Sequence, residues 1–202
     1  WDADGQQQLV AVALDQPGVT ITDQGWQAVG MAATGSVEVL FDNAEAQAIG
    51  NPGDYLQRPG FWQGGIGIAA CWYGASRQIA EGLRQHCAHR DEPHALAHLG
   101  ATDTALQAAA DVLRFSALQI DAQPEADAEL LARRARAVVE QSAEQVMREV
   151  GRALGAGPFC QDRHFARLSA DLPVFLRQSH AERDLAALGQ QIVGQSCEVW
   201  AL

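Results

Sequence analysis

Two patterns of apolar and polar residues divide the chain. Over residues 1–60 the two kinds alternate in short stretches, most clearly in "SVEVLFD", where Val37, Val39 and Phe41 fall on one side. A period of two is typical of β-strands. Over residues 61–202 the apolar residues instead recur every three or four positions, which is the period of an amphipathic helix. The sequence therefore predicts an α+β fold, with the strands first and the helices second.

Turn signals and apolar runs set the bounds of the predicted elements. The run "QLVAVALD" is predicted to be a mostly buried strand that ends at the turn formed by Pro17 and Gly18. The predicted helices cover 62–89, 95–122, 125–154, a stretch from about 163, and 179–192, with Pro173 between the last two. Long helices joined by short loops favour an antiparallel bundle.

Two groups of residues in the helical part have a structural interpretation. The first predicted helix contains Gly64, Gly65, Gly67 and Gly74. Because glycine weakens a helix, we expect these positions to allow close helix packing or the approach of the backbone to a ligand. The third predicted helix contains Arg133, Arg134 and Arg136. This cluster of charges is interpreted as a solvated face.

The charge balance excludes one class of partner. The chain has a net charge of −11, and its 14 basic residues are all arginine. An acidic protein repels phosphate backbones, so nucleic acid is not an expected partner. No apolar run reaches the roughly 18 to 20 residues that span a bilayer, so no membrane partner is expected either.

The N-terminus and the cysteines bear on the compartment. The first residues lack the basic and apolar regions of a signal peptide and do not begin with methionine, so we expect a cytoplasmic protein of which this chain is a fragment. If no segment precedes Trp1, a large exposed apolar patch is expected. The absence of a C-x-x-C pair disfavours a zinc ribbon and predicts reduced, buried thiols. The cysteines are Cys71, Cys87, Cys160 and Cys197.

The order of the motifs is similar to that of one enzyme family. Predicted strands are followed by "GMAATGSVEVLFD", by "IGNPGDYLQRPGF" and then by a glycine-rich helix, "GIGIAACWYGASRQIAEG". Over nearly all of its length the chain resembles the acyl-CoA dehydrogenase family, from the end of the middle β-domain through the C-terminal bundle. The resemblance implies that residues 1–60 are the C-terminal part of a β-barrel-like domain. It implies that residues 61–202 are an antiparallel four-helix-type bundle domain.

The resemblance also implies a chemistry and partners. Family members are FAD-dependent oxidoreductases in which a glutamate removes the α-proton of an acyl thioester while the flavin accepts a hydride. The flavin lies between the β-domain and the bundle, and a second subunit completes its site. For this chain the resemblance implies FAD, an acyl-CoA or related thioester, a role in fatty acid metabolism, a homodimer or homotetramer, and an electron-transfer partner.

The usual catalytic glutamate of the family is missing. It follows the aspartate of "E-R-x-x-R-D" by eight residues; the matching stretch is "ARLSAD", and counting on from Asp171 leads to Ser179. The family's other position for the base, near Gly64, is not acidic either. Serine is too weak a base for this step, so the candidate catalytic residues are Glu182, one helical turn further on, and His180. The alternative is that Glu182 belongs to a solvated, self-paired helix start.

Five residues match the family's cofactor contacts. Arg90 falls on the arginine of "R-x-x-F-G", which meets the FAD pyrophosphate across the subunit interface; the alternative is an ion pair with its acidic neighbours. Arg152 and Gly155 fall on "Q-x-x-G-G", which touches the adenine end of FAD. Thr34 and Ser36 keep the hydroxyls of "G-x-R-x-S-x-T/S", which either contact CoA or flavin or only cap the turn.

One histidine-rich junction was also considered as a metal site. Its residues are His86, Cys87, His89, His94 and His98. Two histidines four positions apart can bind a metal on one helix face. No carboxylate pattern specifies such a site, so no metal is predicted.

A second branch of the same fold remains open. The stretch "DRHFARLSADLPVFLRQSH" also resembles the "D-R-H-W-R-x-A-R" region of flavin-dependent monooxygenases, which need no α-proton base. Asp162, Arg163, His164 and Arg167 match that region. The leading function is an FAD-linked oxidoreductase that acts on an acyl thioester with a displaced base. The alternatives are a flavin monooxygenase and a catalytically silent relative that serves as a binding or structural partner.

Overall fold

The computed structural model describes residues 5–195 and 199–200, and most of these residues are helical. The helices are α1 (Asp54–Gln57), α2 (Pro59–Ala88), α3 (Pro93–Ala122), α4 (Glu129–Leu154), α5 (Gly157–Gln161), α6 (Arg163–Leu176) and α7 (Glu182–Val193). The strands are β1 (Val10–Ala11), β2 (Val19–Ile21), β3 (Val39–Phe41) and β4 (Gln47–Ala48). The α+β character and the helical bundle agree with the sequence pattern; the β-barrel stays a prediction.

The core lies between α2, α3, α4 and α6. Trp72 of α2 and Val146 of α4 are 0% exposed, and Leu176 of α6 is 1% exposed. The Trp72 ring meets Phe175 edge to face, with 6.0 Å between the ring centroids. Small residues such as Ala109 fill the contact from α3. Burial of the apolar stripe of each helix therefore sets how the helices pack.

The strands form two small antiparallel sheets. Val10 of β1 pairs with Ala48 of β4, and Thr20 of β2 pairs with Leu40 of β3. The prediction that "QLVAVALD" is mostly buried is wrong for this structure, because Val10 is 44% exposed. Alternation marks the two sides of a strand, but it does not provide a layer that covers either side.

A glycine turn joins the strand segment to the bundle. At Gly30 an added Cβ would lie 1.9 Å from the carbonyl oxygen of Ala170 in α6, so only glycine fits there. The next residue, Met31, has a left-handed backbone with φ of 55°, and its N–H donates to an Asp171 carboxylate oxygen at 2.5 Å. The Trp26 indole N–H closes the turn on the Met31 carbonyl. This contact explains the glycine that opens "GMAATG".

Three helix bounds differ from the predicted ones. The helix predicted from Glu125 begins at Glu129, whose N–H donates to an Asp127 carboxylate oxygen at 2.9 Å just before the helix. The helix predicted from Ser179 begins at Glu182, after Ala181 with φ of 40°. Pro173 lies inside α6 and does not separate two helices.

The glycines of α2 do not pack closely in this structure. An added Cβ at Gly64, Gly67 or Gly74 would meet no atom within 4 Å. At Gly65 the nearest atom is Cδ of Arg136, at 3.7 Å. The prediction of close helix packing is therefore wrong at these positions, and the approach of a ligand stays a prediction.

The cysteines are less buried than predicted. Cys71 and Cys160 are exposed and Cys87 is half-buried, and all three are free thiols. Cys197 lies outside the described residues. Among the helices described here, none is both long enough and apolar enough to cross a bilayer.

Candidate functional site

One concave surface, the α4–α7 cleft, lies between α4, the start of α2 and the start of α7. Its volume is about 200 Å³. Seven charged side chains line it, together with Trp62, Gln141, Leu185 and two alanines. The charged residues are Arg133, Arg136, Glu140, Glu144, Arg177, Glu182 and Asp184.

Arg133 fixes one wall of the cleft. Its guanidinium lies 4.7 Å from the centroid of the Trp62 ring, which is a cation–π contact. It pairs with Glu129 at 2.7 Å and reaches Asp184 of α7 at 3.5 Å. The side chain is 14% exposed, so the prediction of a solvated face is wrong here. The Asp184 contact also shows that the start of α7 is not paired only within itself.

Arg136 crosses from α4 to α2. It donates to the Gly65 carbonyl oxygen at 2.9 Å, and its guanidinium lies 4.7 Å from the Trp72 ring centroid. Burial lowers the pKa of this guanidinium, while nearby Asp184 and Glu140 act in the opposite direction. Arginine remains a cation even so. The solvated-face prediction is wrong at this position too.

Ser179, at the place of the family's glutamate, is held by a carboxylate of α4. Its hydroxyl donates to Glu140 at 2.8 Å. Glu140 also accepts from Arg177, whose guanidinium binds Glu144 at 2.9 Å. The Glu140 side chain is only 15% exposed. Residues 177–179 are therefore tied to α4 through a carboxylate that accepts from two donors.

The predicted catalytic residues lie at the edge of this cleft. Glu182 lines the cleft and is exposed, and within the described chain it has no hydrogen-bond or ion-pair partner. His180 is exposed beside it, and its Nδ1 lies 4.0 Å from a carboxylate oxygen of Asp184. The structure thus brings the two residues into one neighbourhood. Whether either acts as a base stays a prediction.

A second hollow, the turn cleft, lies where the strand segment meets the bundle. Its volume is about 440 Å³. Thr34 lines it, with Cys71 of α2 and the Arg167–Asp171 pair of α6. The Thr34 hydroxyl donates to the Met31 carbonyl at 2.8 Å, which is a turn-capping bond. Ser36, the other predicted hydroxyl, is exposed and does not line this cleft.

The remaining predicted cofactor residues lie at the opposite end of the bundle from the α4–α7 cleft. Arg90 follows the end of α2, whereas Trp62 lies near its start; 28 residues of helix span about 42 Å. Arg152 and Gly155 mark the end of α4, which runs parallel to α2. Arg90 has no ion pair among the described residues. Its neighbour Glu92 caps α3 instead, and the N–H groups of Ala95 and His94 lower the pKa of the Glu92 carboxyl.

The histidine-rich junction gathers no set of metal ligands. His98 binds Glu149 of α4 at 2.7 Å. This hydrogen bond, with a smaller contribution from Arg148, lowers the pKa of the Glu149 carboxyl. Within residues 5–195 and 199–200, no three His, Cys, Asp or Glu side chains come together as a metal group would require.

The sequence interpretation missed three charged residues of the α4–α7 cleft, namely Glu140, Glu144 and Arg177. Glu140 and Glu144 lie one turn apart on α4 and continue the face that begins with Arg133 and Arg136. These residues follow Arg133 and Arg136 at intervals of three or four positions, a spacing that places all of them on one face of a helix. The charges suggested a solvated surface, whereas the fold places α7 and Arg177 against it.

Comparison with known proteins identifies the fold. No protein-family model and no curated protein sequence matches the chain. The solved structure of nitrososynthase from Micromonospora carbonacea var. africana matches with a TM-score of 0.75 and 22% identity over 96% of this chain and 55% of its own. Acyl-CoA dehydrogenase from Geobacillus kaustophilus matches with a TM-score of 0.79 and 18% identity over 92% and 52%.

A third match carries bound molecules. KijD3 in complex with FMN and dTDP-3-amino-2,3,6-trideoxy-4-keto-3-methyl-D-glucose has a TM-score of 0.72 and 20% identity over 95% of this chain and 53% of its own. The chain thus spans about half the length of the structures it matches. Identities this low establish the fold alone. The chain has the fold of the C-terminal half of the acyl-CoA dehydrogenases.

Proposed function

We propose that this chain is the C-terminal half of a flavin-dependent oxidoreductase, in which residues 1–60 complete a β-domain and residues 61–202 form the bundle domain. The likeness to structures of about twice its length supports this division. The exposed apolar side chains of the strands, such as Leu40 at 55%, would then contact the rest of the β-domain. In the proposed assembly, two or four copies pack through their bundles.

The turn cleft is the proposed flavin-facing surface of this chain. It lies between the strand segment and the bundle, and Thr34, Arg167 and the α2 backbone near Cys71 would hold the cofactor. Arg90, Arg152 and Gly155 do not line this cleft, so they would meet the cofactor of a second copy. A bound flavin would supply the redox chemistry. FAD is the proposed form, and the FMN of KijD3 is the alternative.

The state of Ser179 favours oxygen chemistry over α-proton removal. Its hydroxyl donates to Glu140, and that carboxylate also accepts from Arg177, so both groups are already held in hydrogen bonds. A serine without a free activating base is too weak to remove an α-proton. A flavin monooxygenase needs no such base. The names of two neighbours, a nitrososynthase and a hydroxylase from Rhodococcus sp. RHA1, support this choice. We therefore place the protein in the monooxygenase branch.

One observation keeps acyl-thioester dehydrogenation as the second candidate. Glu182 lines the α4–α7 cleft without a partner among the described residues, and His180 lies beside it. Either group could replace the missing glutamate if the α-carbon of a thioester reached this edge. Against it, Glu182 is exposed at the start of α7 and does not line the turn cleft, where the flavin is proposed to bind.

The experiment compares two routes of flavin reduction in the purified intact protein. Without oxygen, a panel of acyl-CoA thioesters should leave the flavin absorbance at about 450 nm unchanged. A reductant such as dithionite, or a flavin reductase, should instead bleach this absorbance. Readmitted oxygen should then reoxidise it. Bleaching by an acyl-CoA would contradict the monooxygenase and support Glu182 or His180 as the base; the variants E182Q and H180Q would identify which one.

The cofactor itself has a separate test. Heat denaturation followed by chromatography of the released flavin separates FAD from FMN. A purified intact protein that holds neither, and that binds neither in a titration, would contradict both enzyme proposals and leave the catalytically silent relative.

A further inference from the structure

The α4–α7 cleft contains two charged side chains that form no ion pair among the described residues. Arg133 pairs with Glu129 and Asp184, and Arg177 pairs with Glu140 and Glu144. These bonds account for every charged residue of the lining except two. The two are Arg136 and Glu182. One is a cation and the other an anion, and they do not form an ion pair with each other.

Arg136 is the stronger of the two signals. It is half-buried, and among the described residues its only hydrogen-bond acceptor is the uncharged Gly65 carbonyl. A guanidinium has five N–H donors, so most of them remain available. Partly desolvated cations are costly unless an anion lies against them. A carboxylate suits the planar donor pair, because it can accept two parallel bonds.

Glu182 supplies the opposite charge at the rim. It is exposed, it faces the same cleft, and no described cation binds it. An ammonium group would be a natural partner for this carboxylate. The charge pattern therefore matches a ligand that carries both an anionic oxygen group and an amine, and it disfavours a ligand with only one of them.

The rest of the lining is suited to a small apolar body. Trp62, Leu185, Ala137 and Ala181 provide the uncharged surface. A volume of about 200 Å³ lies below the range of roughly 300 to 1,000 Å³ that is usual for drug-sized ligands. The site therefore fits an amino acid, or the amino-acid-like end of a larger molecule.

We propose that the α4–α7 cleft is a binding site for a zwitterion of the apolar α-amino acid class, with its carboxylate on Arg136 and its ammonium at Glu182. Trp62 lies against the side chain of the ligand. This site is distinct from the turn cleft, and it requires neither a bound flavin nor any redox step. Its test is consequently independent of the proposed function.

Three probes with the same phenyl body separate the two charges. They are L-phenylalanine, 3-phenylpropionate, which lacks the amine, and 2-phenylethylamine, which lacks the carboxylate. Isothermal titration of the intact protein should show phenylalanine binding about tenfold or more tightly than either analogue, since each lost ionic contact costs about 1.4 kcal/mol or more. Equal binding of phenylalanine and 3-phenylpropionate, or no binding of any probe, would overturn the proposal.

Two variants assign the charges to their residues. R136Q should reduce the affinity for phenylalanine to that for 2-phenylethylamine, and E182Q should reduce it to that for 3-phenylpropionate. Because Glu182 is exposed, E182Q should fold normally even if R136Q, which loses the contact with Trp72, does not. An unchanged phenylalanine affinity in E182Q would contradict the assignment of the amine.

A matched pair of variants controls for general effects of charge. Arg183 neighbours Glu182 on α7 and is exposed, but it does not line the cleft. R183Q should therefore leave all three affinities unchanged. R136K should fall between the wild type and R136Q, because lysine keeps the charge but loses the paired donors.

Discussion

The helical bundle and the strand segment are stabilised in different ways. In the bundle, Trp72, Leu83 and Val146 are all 0% exposed. In the described segment that precedes the bundle, from residue 5 to residue 60, Gly30 is the only buried residue. The bundle therefore has its own apolar core, whereas the strand segment is attached through backbone contacts at one turn. Apolar content alone does not make a core, because a second layer must cover the apolar surface.

The largest loss of stability is expected from a substitution in the core of the bundle. Replacement of Trp72 by alanine should lower the free energy of unfolding by about 3–5 kcal/mol, because it removes a fully buried ring and leaves a cavity. Urea unfolding followed by circular dichroism measures this loss. F41A, at a 56% exposed position of β3, should cost less than about 1 kcal/mol.

A loss in F41A as large as that in W72A would contradict this expectation, because it would mean that the strand segment has a core of its own. W200A, at an 85% exposed tryptophan, is the control for residue type and should leave unfolding unchanged.

The next effect tests the attachment at the turn. G30A places a Cβ against the Ala170 carbonyl and should displace the turn from α6, at a cost of about 1–3 kcal/mol. Hydrogen exchange measured by mass spectrometry should rise over the turn and the strands but not in α2 or α4. G64A is the control: its Cβ meets open space on a helix, so it should be neutral or stabilise by up to about 1 kcal/mol.

A smaller effect tests the bond that ties Ser179 to α4. S179A removes the hydroxyl that donates to Glu140 and should lower the free energy of unfolding by about 1 kcal/mol. The measurement is again urea unfolding. S36A, at an exposed serine of the strand segment, should have no effect. Equal losses in the two variants would mean that the Glu140 contact does not stabilise the bundle.

The smallest effect appears only in acid. Since the pKa of Glu149 is lowered in the folded protein, its bonds to His98 and Arg148 stabilise the fold above the ordinary carboxyl pKa of 4.5. This contribution is lost as the pH falls through the folded-state pKa, when the carboxylate is protonated. E149Q should therefore show a shallower decline of unfolding free energy below pH 4.5 than the wild type. If the unfolding free energies of E149Q and the wild type fall in parallel below pH 4.5, the proposed contribution of Glu149 is contradicted.

The spacing of apolar residues predicts where the helices lie, but it does not fix where each helix begins. The apolar spacing in α2 and α3 placed both helices within a few residues, because one face of each is buried along its whole length. The predicted start of α4 is four residues too early, because residues 125–128 form a non-helical connection in which Asp127 accepts the N–H of Glu129. The exposure of β1 was not predictable, since alternation says nothing about the covering layer.

The candidate site was harder to predict, for a physical reason. Counting along the chain led to Glu182 and His180; Glu182 lines the α4–α7 cleft, and His180 does not. The role of Arg136 depends on Gly65 and Trp72, which are about 70 residues away in sequence. Contacts of that kind follow from helix packing and leave no local pattern.

The two faces of α4 fix its rotation about its own axis. Val139 and Val146 lie against the core, while Arg136 and Glu140 lie towards the cleft. One inserted residue turns everything beyond it by about 100°. An insertion in the middle of α4 would thus expose the valines and bury the charges in a single step, whereas the same insertion in the linker at 123–128 would leave both faces aligned. Evolution can therefore lengthen this linker freely, but it can change α4 only by substitution.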